Sequence, residues 1–339
     1  MIPIFKPHVG ADEIEALIGV AKSGSFILGK EVEDFENEFA AYVKAQHAVG
    51  VASGTDALIL SLEALGVSAG DEVICPAWSF YATSEAISRV GATPVFVDID
   101  HTYNIDPAKV STNTKTKAII AVHQYGYPAA IEQLKRHGLP IIVDSAQALT
   151  DHEGLIGCYS FFPSKILGGC GDGGMVATND REIAEKVRIL RVHGQKERWN
   201  FTEIGYNSRL DAIQAGFLRV KLRKVQEAIE KRKSLAARYN RELAGDVTIP
   251  NGHNRHTWGV YTIQSPNRDE LQDRLKEVGI ASAIHYPTPL PGLLVYRRMN
   301  MVICPVAERA ASRVLSLPIY PELEYDEQTR VIEVVREHG

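Results

Sequence analysis

The sequence has few cysteines, no run of basic residues and no long apolar stretch. Its 339 residues carry 37 Lys and Arg against 42 Asp and Glu, a formal net charge of −5. Mild acidity without a basic cluster excludes the electrostatic footprint of a protein that binds nucleic acid or an anionic membrane. No stretch approaches the about 18 consecutive apolar residues that span a bilayer. Met1-Ile-Pro-Ile-Phe-Lys-Pro7 places prolines where a secretory signal needs an uninterrupted apolar segment, so a cytoplasmic protein is expected. Cys75, Cys158, Cys170 and Cys304 have none of the short paired spacings used by zinc or iron–sulfur sites. They read as small core residues, and no metal is expected.

What is present is an α/β pattern long enough for two cores. From Val49 to Thr178 short β-branched runs alternate with helical patterns, the arrangement of a mostly parallel sheet covered on both faces. Strands are expected at Glu72–Cys75, Pro94–Val97, Lys117–Val122, Pro140–Val143 and Met175–Thr178, and helices at Thr55–Leu65, Ser79–Val90 and Ala129–His137. Amphipathic segments Ala11–Ala21 and Glu31–Val43 precede this region. Helical Arg181–Val192, a polar aromatic stretch, and a long charged helix from Leu210 to Leu243 with one break follow it. The change of composition at Gly245–His256 marks a boundary between residues 1–244 and a smaller α/β domain, 245–339, with strands at Trp258–Ile263 and Ile280–Ile284 and helices at Arg268–Val278 and Asp326–Glu337.

Three places carry residues suited to chemistry. In Ala52-Ser-Gly-Thr-Asp-Ala57 a strand ends and a helix starts, and free N–H groups there bind phosphate; the same residues equally fit a plain capped helix. Asp144 directly follows the apolar run Pro140–Val143, and an acid at the carboxyl end of a parallel strand either faces the ligand crevice or caps a helix. Gln147, three residues on, falls on the same side if Ser145 starts a helical turn. In Ser160-Phe-Phe-Pro-Ser-Lys165, followed by Gly168–Gly174, the glycines match G-x-G-x-x-G but feed a strand rather than a helix, so the dinucleotide reading loses its context. Lys165 follows apolar residues, which favours burial and a lowered pKa, as a Schiff-base amine requires. A phosphate cradle, an acid for a pyridine nitrogen and an imine-forming lysine together fit pyridoxal 5′-phosphate (PLP).

The order and spacing of the motifs resemble the nucleotide-sugar aminotransferases of the DegT/DnrJ/EryC1/StrS family. The segments are Ser53–Leu58, Gly70–Val73, Pro94–Ile99, Asp144–Gln147, Ser160–Lys165, Gly171–Gly174, Arg191–Gly194, Gly205–Asp211 and His285–Leu290. The resemblance implies the fold-type I architecture of PLP enzymes, a large αβα domain with a mostly parallel mixed sheet plus a smaller C-terminal α/β domain. It implies that Lys165 is the Schiff-base lysine, that Asp144 partners the pyridine nitrogen, that Phe80 stacks on the ring and that Gln147 lies beside the ring's phenolic oxygen. Gly54, Thr55 and Ser160 match the phosphate cradle, with Asn207 reaching in from the second subunit of a homodimer that shares its active sites. In the uronate branch an arginine at the Arg209 position, together with the pair at His285 and Tyr286, comes from the partner chain and binds the sugar.

Two features depart from the family pattern. Only 21 positions (165 − 144) separate Asp144 from Lys165, because a loop that is longer in the family is cut to Leu149–Gly157, and Ile166 stands where a small or polar residue is common. Lys165 selects transamination over the family's sugar dehydratases, which carry histidine there. The implied substrates are L-glutamate and a nucleotide-linked keto-sugar, and His285-Tyr-Pro-Thr-Pro-Leu290 resembles the loop of enzymes that aminate C3 of UDP- or dTDP-linked sugars. Amination at C4, a PLP-binding regulatory homologue and a lyase or desulfurase are the alternatives.

Overall fold

The structure, a computed structural model, describes residues 1–297 and 302–339. Seven strands form one sheet: β1 (His47–Val51), β2 (Glu72–Pro76), β3 (Thr93–Val97), β4 (Thr116–Val122), β5 (Ile141–Asp144), β6 (Ile156–Ser160) and β7 (Gly174–Thr178). Their order is β1-β7-β6-β5-β4-β2-β3. Neighbours from β3 through β6 pair in parallel, and β7 runs antiparallel to both β6 and β1. The sheet is therefore mixed and mostly parallel, as the alternation of runs implies.

Because side chains alternate along a strand, each strand feeds two cores. Val73, Cys75, Ile120, Ile142, Cys158 and Val176 pack against α3 (Gly54–Ala64), α4 (Ala82–Arg89) and α6 (Arg181–Leu190). On the opposite face Tyr159, Met175 and Ala177 meet α2 (Lys30–Tyr42) and α7 (Ala212–Leu243), while Ile119, Ala121, Ile141 and Val143 meet α5 (Ile131–Leu134). Helix α1 (Ala11–Ser23) also lies on α7, which runs 32 residues without the expected break.

The sheet's first strand is tied to its helices by one buried ion pair. Arg191 donates to Glu36 and to the Gly50 carbonyl, and Glu36 also accepts from the Gly50 N–H at 2.8 Å. Removing one partner of such a pair leaves a charge buried without compensation. Arg191→Ala is expected to lower stability by about 3–5 kcal/mol, read from urea unfolding.

Another core surrounds β10 (Tyr261–Gln264) and β11 (Val314–Leu317), which pair antiparallel; a small hairpin, β8 (Gln195–Glu197) with β9 (Asn200–Phe201), precedes them. Helices α8 (Arg268–Glu277) and α10 (Tyr325–His338) cover it, and α9 (Pro305–Ala311) joins the larger core. Ile2 and Ala236, Tyr239 and Leu243 of α7 also belong to this smaller core. A division at residues 244/245 remains a proposal, with α7 bridging its two sides.

Several local expectations are corrected. Ile280–Ile284 is not a strand; single bridges tie Ile280 to Ile2 and Ala283 to Ser316, so its apolar residues are buried by neighbours that differ from one position to the next. The helix expected from Ser79 starts at Ala82, because Ser79 and Phe80 turn toward a cavity. The shortened loop after Leu149 is pinned by ion pairs of Asp151 with Lys44 and of Glu153 with Arg255.

Candidate active site

Parallel strands present their carboxyl ends on one edge, where ligands bind in open α/β sheets. Val122 ends β4 beside Asp144 at the end of β5, which lies opposite Cys158 of β6. A cavity of about 500 Å³ opens at this edge.

One wall is the start of α3. Ser53 caps the helix by accepting the Asp56 N–H at 3.0 Å, and the next two residues, Gly54 and Thr55, line the cavity with Ser160. The first N–H groups of a helix lack intrahelical acceptors and, with the helix dipole, favour an anion. A Cβ on Gly54 would stand 2.7 Å from the Cβ of Ser160, so only glycine lets the helix start approach β6 this closely. Gly54→Val is expected to weaken PLP binding by about tenfold or more, measured by titrating the apoprotein with the cofactor.

The floor carries Asp144 and Lys165. Asp144 is buried; its Oδ2 accepts from the Thr83 hydroxyl at 2.9 Å and its Oδ1 from the Ala146 N–H at 3.1 Å. Burial raises its carboxyl pKa, opposed by these two donors and by Lys165. Lys165 lines the same cavity, and burial lowers its ammonium pKa against the pull of Asp144. Such a carboxylate is stabilised by a cation placed in the cavity, and such an amine has a larger unprotonated fraction, able to act as nucleophile and base.

The remaining wall is built from Phe80, Gln147, His285 and Tyr286, the last packed against the larger core. Gln147 accepts the Tyr125 N–H at 2.6 Å and donates to the Tyr286 hydroxyl at 2.8 Å. Tyr125 donates in turn to the His285 carbonyl and accepts from the Trp78 indole at 3.1 Å. Phe80, more than half exposed at the mouth, has its ring centroid 6.0 Å from that of Tyr286. Burial and the nearby Lys165 bring the His285 pKa down to about 4.

Nine of the residues singled out from the sequence thus share one cavity: Gly54, Thr55, Phe80, Asp144, Gln147, Ser160, Lys165, His285 and Tyr286. Two of them correct the reading from the uronate branch: His285 and Tyr286 line their own chain's cavity, held there by Gln147 and Tyr125. Asn207 and Arg209 do not line it. They flank Ser208, whose hydroxyl donates to Asp56 of α3 at 2.6 Å, and Asn207 is exposed. The sequence reading passed over Thr83, Tyr125, Asp172 and Ser316. Thr83 had a signal, since it lies four residues after Ser79 at a helix start, and the two hydroxyls are 2.8 Å apart; Asp172, inside the glycine-rich segment, lines the cavity.

The residues present fit PLP. The glycine cradle at a helix start suits its phosphate, and the buried acid, which accepts from two donors among the described residues, suits a protonated ring nitrogen. Comparisons with known proteins agree. The model of the DegT/DnrJ/EryC1/StrS aminotransferase family matches residues 7–336. A "pleiotropic regulatory protein" of Geobacillus stearothermophilus is 46% identical, the match covering 98% of this chain and 94% of the relative. A UDP-N-acetyl-3-dehydro-alpha-D-glucosamine 3-aminotransferase of Acidithiobacillus ferrooxidans is 43% identical over 98% of this chain and 97% of its own. The solved structure of DesV from S. venezuelae superposes with a TM-score of 0.93 at 40% identity, covering 96% of this chain and 94% of that one.

Proposed function

The chain belongs to the DegT/DnrJ/EryC1/StrS aminotransferase family, and from that premise we propose that it moves the amino group of L-glutamate to C3 of a UDP- or dTDP-linked 3-keto-sugar. It is a PLP-dependent nucleotide-sugar aminotransferase. Bound PLP supplies an electron sink for the negative charge that develops on the reacting carbon. In this reading Gly54, Thr55 and Ser160 bind the phosphate, and Phe80 covers the ring. The Asp144 carboxylate holds a proton on the ring nitrogen. Lys165 Nζ takes the proton from Cα of glutamate in the first half-reaction and delivers one to C3 of the sugar in the second. The observation that carries the reading is the meeting of Lys165, Asp144 and the α3 start in one cavity with His285 and Tyr286. The choice of C3 is supported by the A. ferrooxidans relative and by the His285–Leu290 segment.

A homodimer with shared sites belongs to the same proposal. It is supported by Asn207 and Arg209 lying outside their own chain's cavity, on a stretch of chain that also carries Trp199 and Ile204, which are 77% and 94% exposed. A mixed dimer of Lys165→Ala and Asn207→Ala chains is expected to regain one working site, while each variant alone stays impaired. Full activity in a dilute sample shown to be monomeric would overturn it. Product NMR after incubation with glutamate and separate 3-keto and 4-keto nucleotide sugars tests the position. The reading requires the new amine at C3; turnover confined to the 4-keto-sugar contradicts it.

A further inference from the structure

His285 projects into the cavity from a short segment fixed on all sides. Ala283, two residues before it, exchanges both backbone hydrogen bonds with Ser316 of β11, at 3.2 and 2.7 Å. Tyr125 holds the His285 carbonyl, and Gln147 holds the neighbouring Tyr286 hydroxyl. Among the described residues the imidazole itself makes one hydrogen bond, between Nδ1 and the Ser316 hydroxyl at 2.9 Å. Behind Ser316 stands Thr262 of β10, its partner in the strand register, with the two hydroxyl oxygens 2.9 Å apart. Both side chains are buried, and among the described residues the Thr262 hydroxyl has no other hydrogen-bond partner.

This geometry decides which way the protons point. If Nδ1 carried the imidazole proton, Ser316 would accept it, and whether Ser316 then donated to Thr262 or accepted from it as well, one of the two hydroxyl protons would be buried with no acceptor among the described residues. If Nε2 carries it, Thr262 donates to Ser316, Ser316 donates to Nδ1, and every donor in the row is used. An unpaired buried donor is costlier than an unused hydroxyl lone pair. At neutral pH the ring is uncharged, so it carries one proton and this choice applies.

We propose that Thr262 and Ser316 are positioning residues that fix His285 as its Nε2–H tautomer, so that His285 donates a hydrogen bond into the cavity to an acceptor oxygen of the keto-sugar. His285 then orients the substrate as a donor and does not compete with Lys165 for a proton. The identity of the acceptor rests on the sugar-aminotransferase reading; the tautomer does not.

The experiment uses the PLP-loaded protein with 15N-labelled histidine, observed by long-range 1H–15N NMR at pH 7, with His285→Gln identifying the signals. The expected pattern is a protonated Nε2 and an unprotonated Nδ1. Thr262→Val, which keeps the shape and removes the donor, is expected to give a mixture of tautomers and to raise KM for the keto-sugar by about tenfold, the worth of one hydrogen bond. Thr262→Ser is expected to restore both the single tautomer and the KM. A protonated Nδ1 in the unmodified protein, or a Thr262→Val spectrum indistinguishable from it, overturns the proposal. The expected tautomer in a protein that turns over no keto-sugar upholds the relay and removes only the substrate assignment.

Discussion

Replacing Lys165 by alanine is expected to slow transamination by about 10²–10⁴-fold from the loss of proton transfer alone, before any loss of covalent attachment is counted. The amine is buried beside Asp144, and burial has the larger effect on its pKa, so the ammonium form is disfavoured. A lysine on an exposed loop would be charged at neutral pH and a poor base. The structure thus places at one atom, Nζ, the two properties needed, access to the cavity and a lowered proton affinity. Single-turnover measurements with glutamate should show the loss in the chemical step. PLP affinity should fall less, because the α3 start and Ser160 remain, and the thermal midpoint should change little. A Lys165→Ala protein that turns over at the original rate would remove the lysine from the mechanism.

Asp144→Asn carries the other large effect, an expected drop of about 10²–10³ in kcat, the usual cost of removing one preorganised electrostatic group. Asparagine keeps the size of the side chain and can still accept from Thr83, so the cavity should hold its shape. What it lacks is the charge that keeps a proton on the ring nitrogen, without which the ring is a weaker electron sink. Burial raises the Asp144 pKa, so ionisation is disfavoured in the protein by itself, and a bound cation offsets that cost. PLP binding by the native protein should therefore weaken as pH falls and Asp144 takes up a proton, while binding by Asp144→Asn should vary less with pH over the same range. Equal kcat for the two proteins would show that the carboxylate does not serve the ring.

These residues were legible because each sits at a boundary the sequence marks. Asp144 follows an apolar β-branched run, Gly54 opens a helix behind a serine cap, and Lys165 lies between phenylalanines and glycines. The hydroxyl row was not legible. Thr262 and Ser316 are 54 positions apart in the chain, and small hydroxyls in strands carry no periodic signal; they meet only through the β10–β11 register. Tyr125 is hidden for a similar reason, since its partners are Gln147, Trp78 and His285. Strands β6 and β11 went unnoticed because Gly157, Ser160 and Ser316 interrupt their apolar residues. The assignment of His285 and Tyr286 to a partner chain failed because one sequence describes both subunits, and only the hydrogen bonds to Gln147 and Tyr125 fix them within their own chain.

The central claim is that Lys165 and Asp144 operate PLP between an amino donor and a keto-sugar. Its most direct test is the visible absorbance of the purified, PLP-loaded protein, followed as L-glutamate and then a UDP- or dTDP-linked 3-keto-sugar are added. The account predicts a band that Lys165→Ala lacks, that glutamate bleaches and that one keto-sugar restores. A protein that shows no band after PLP is added, or whose band glutamate leaves unchanged, would contradict it.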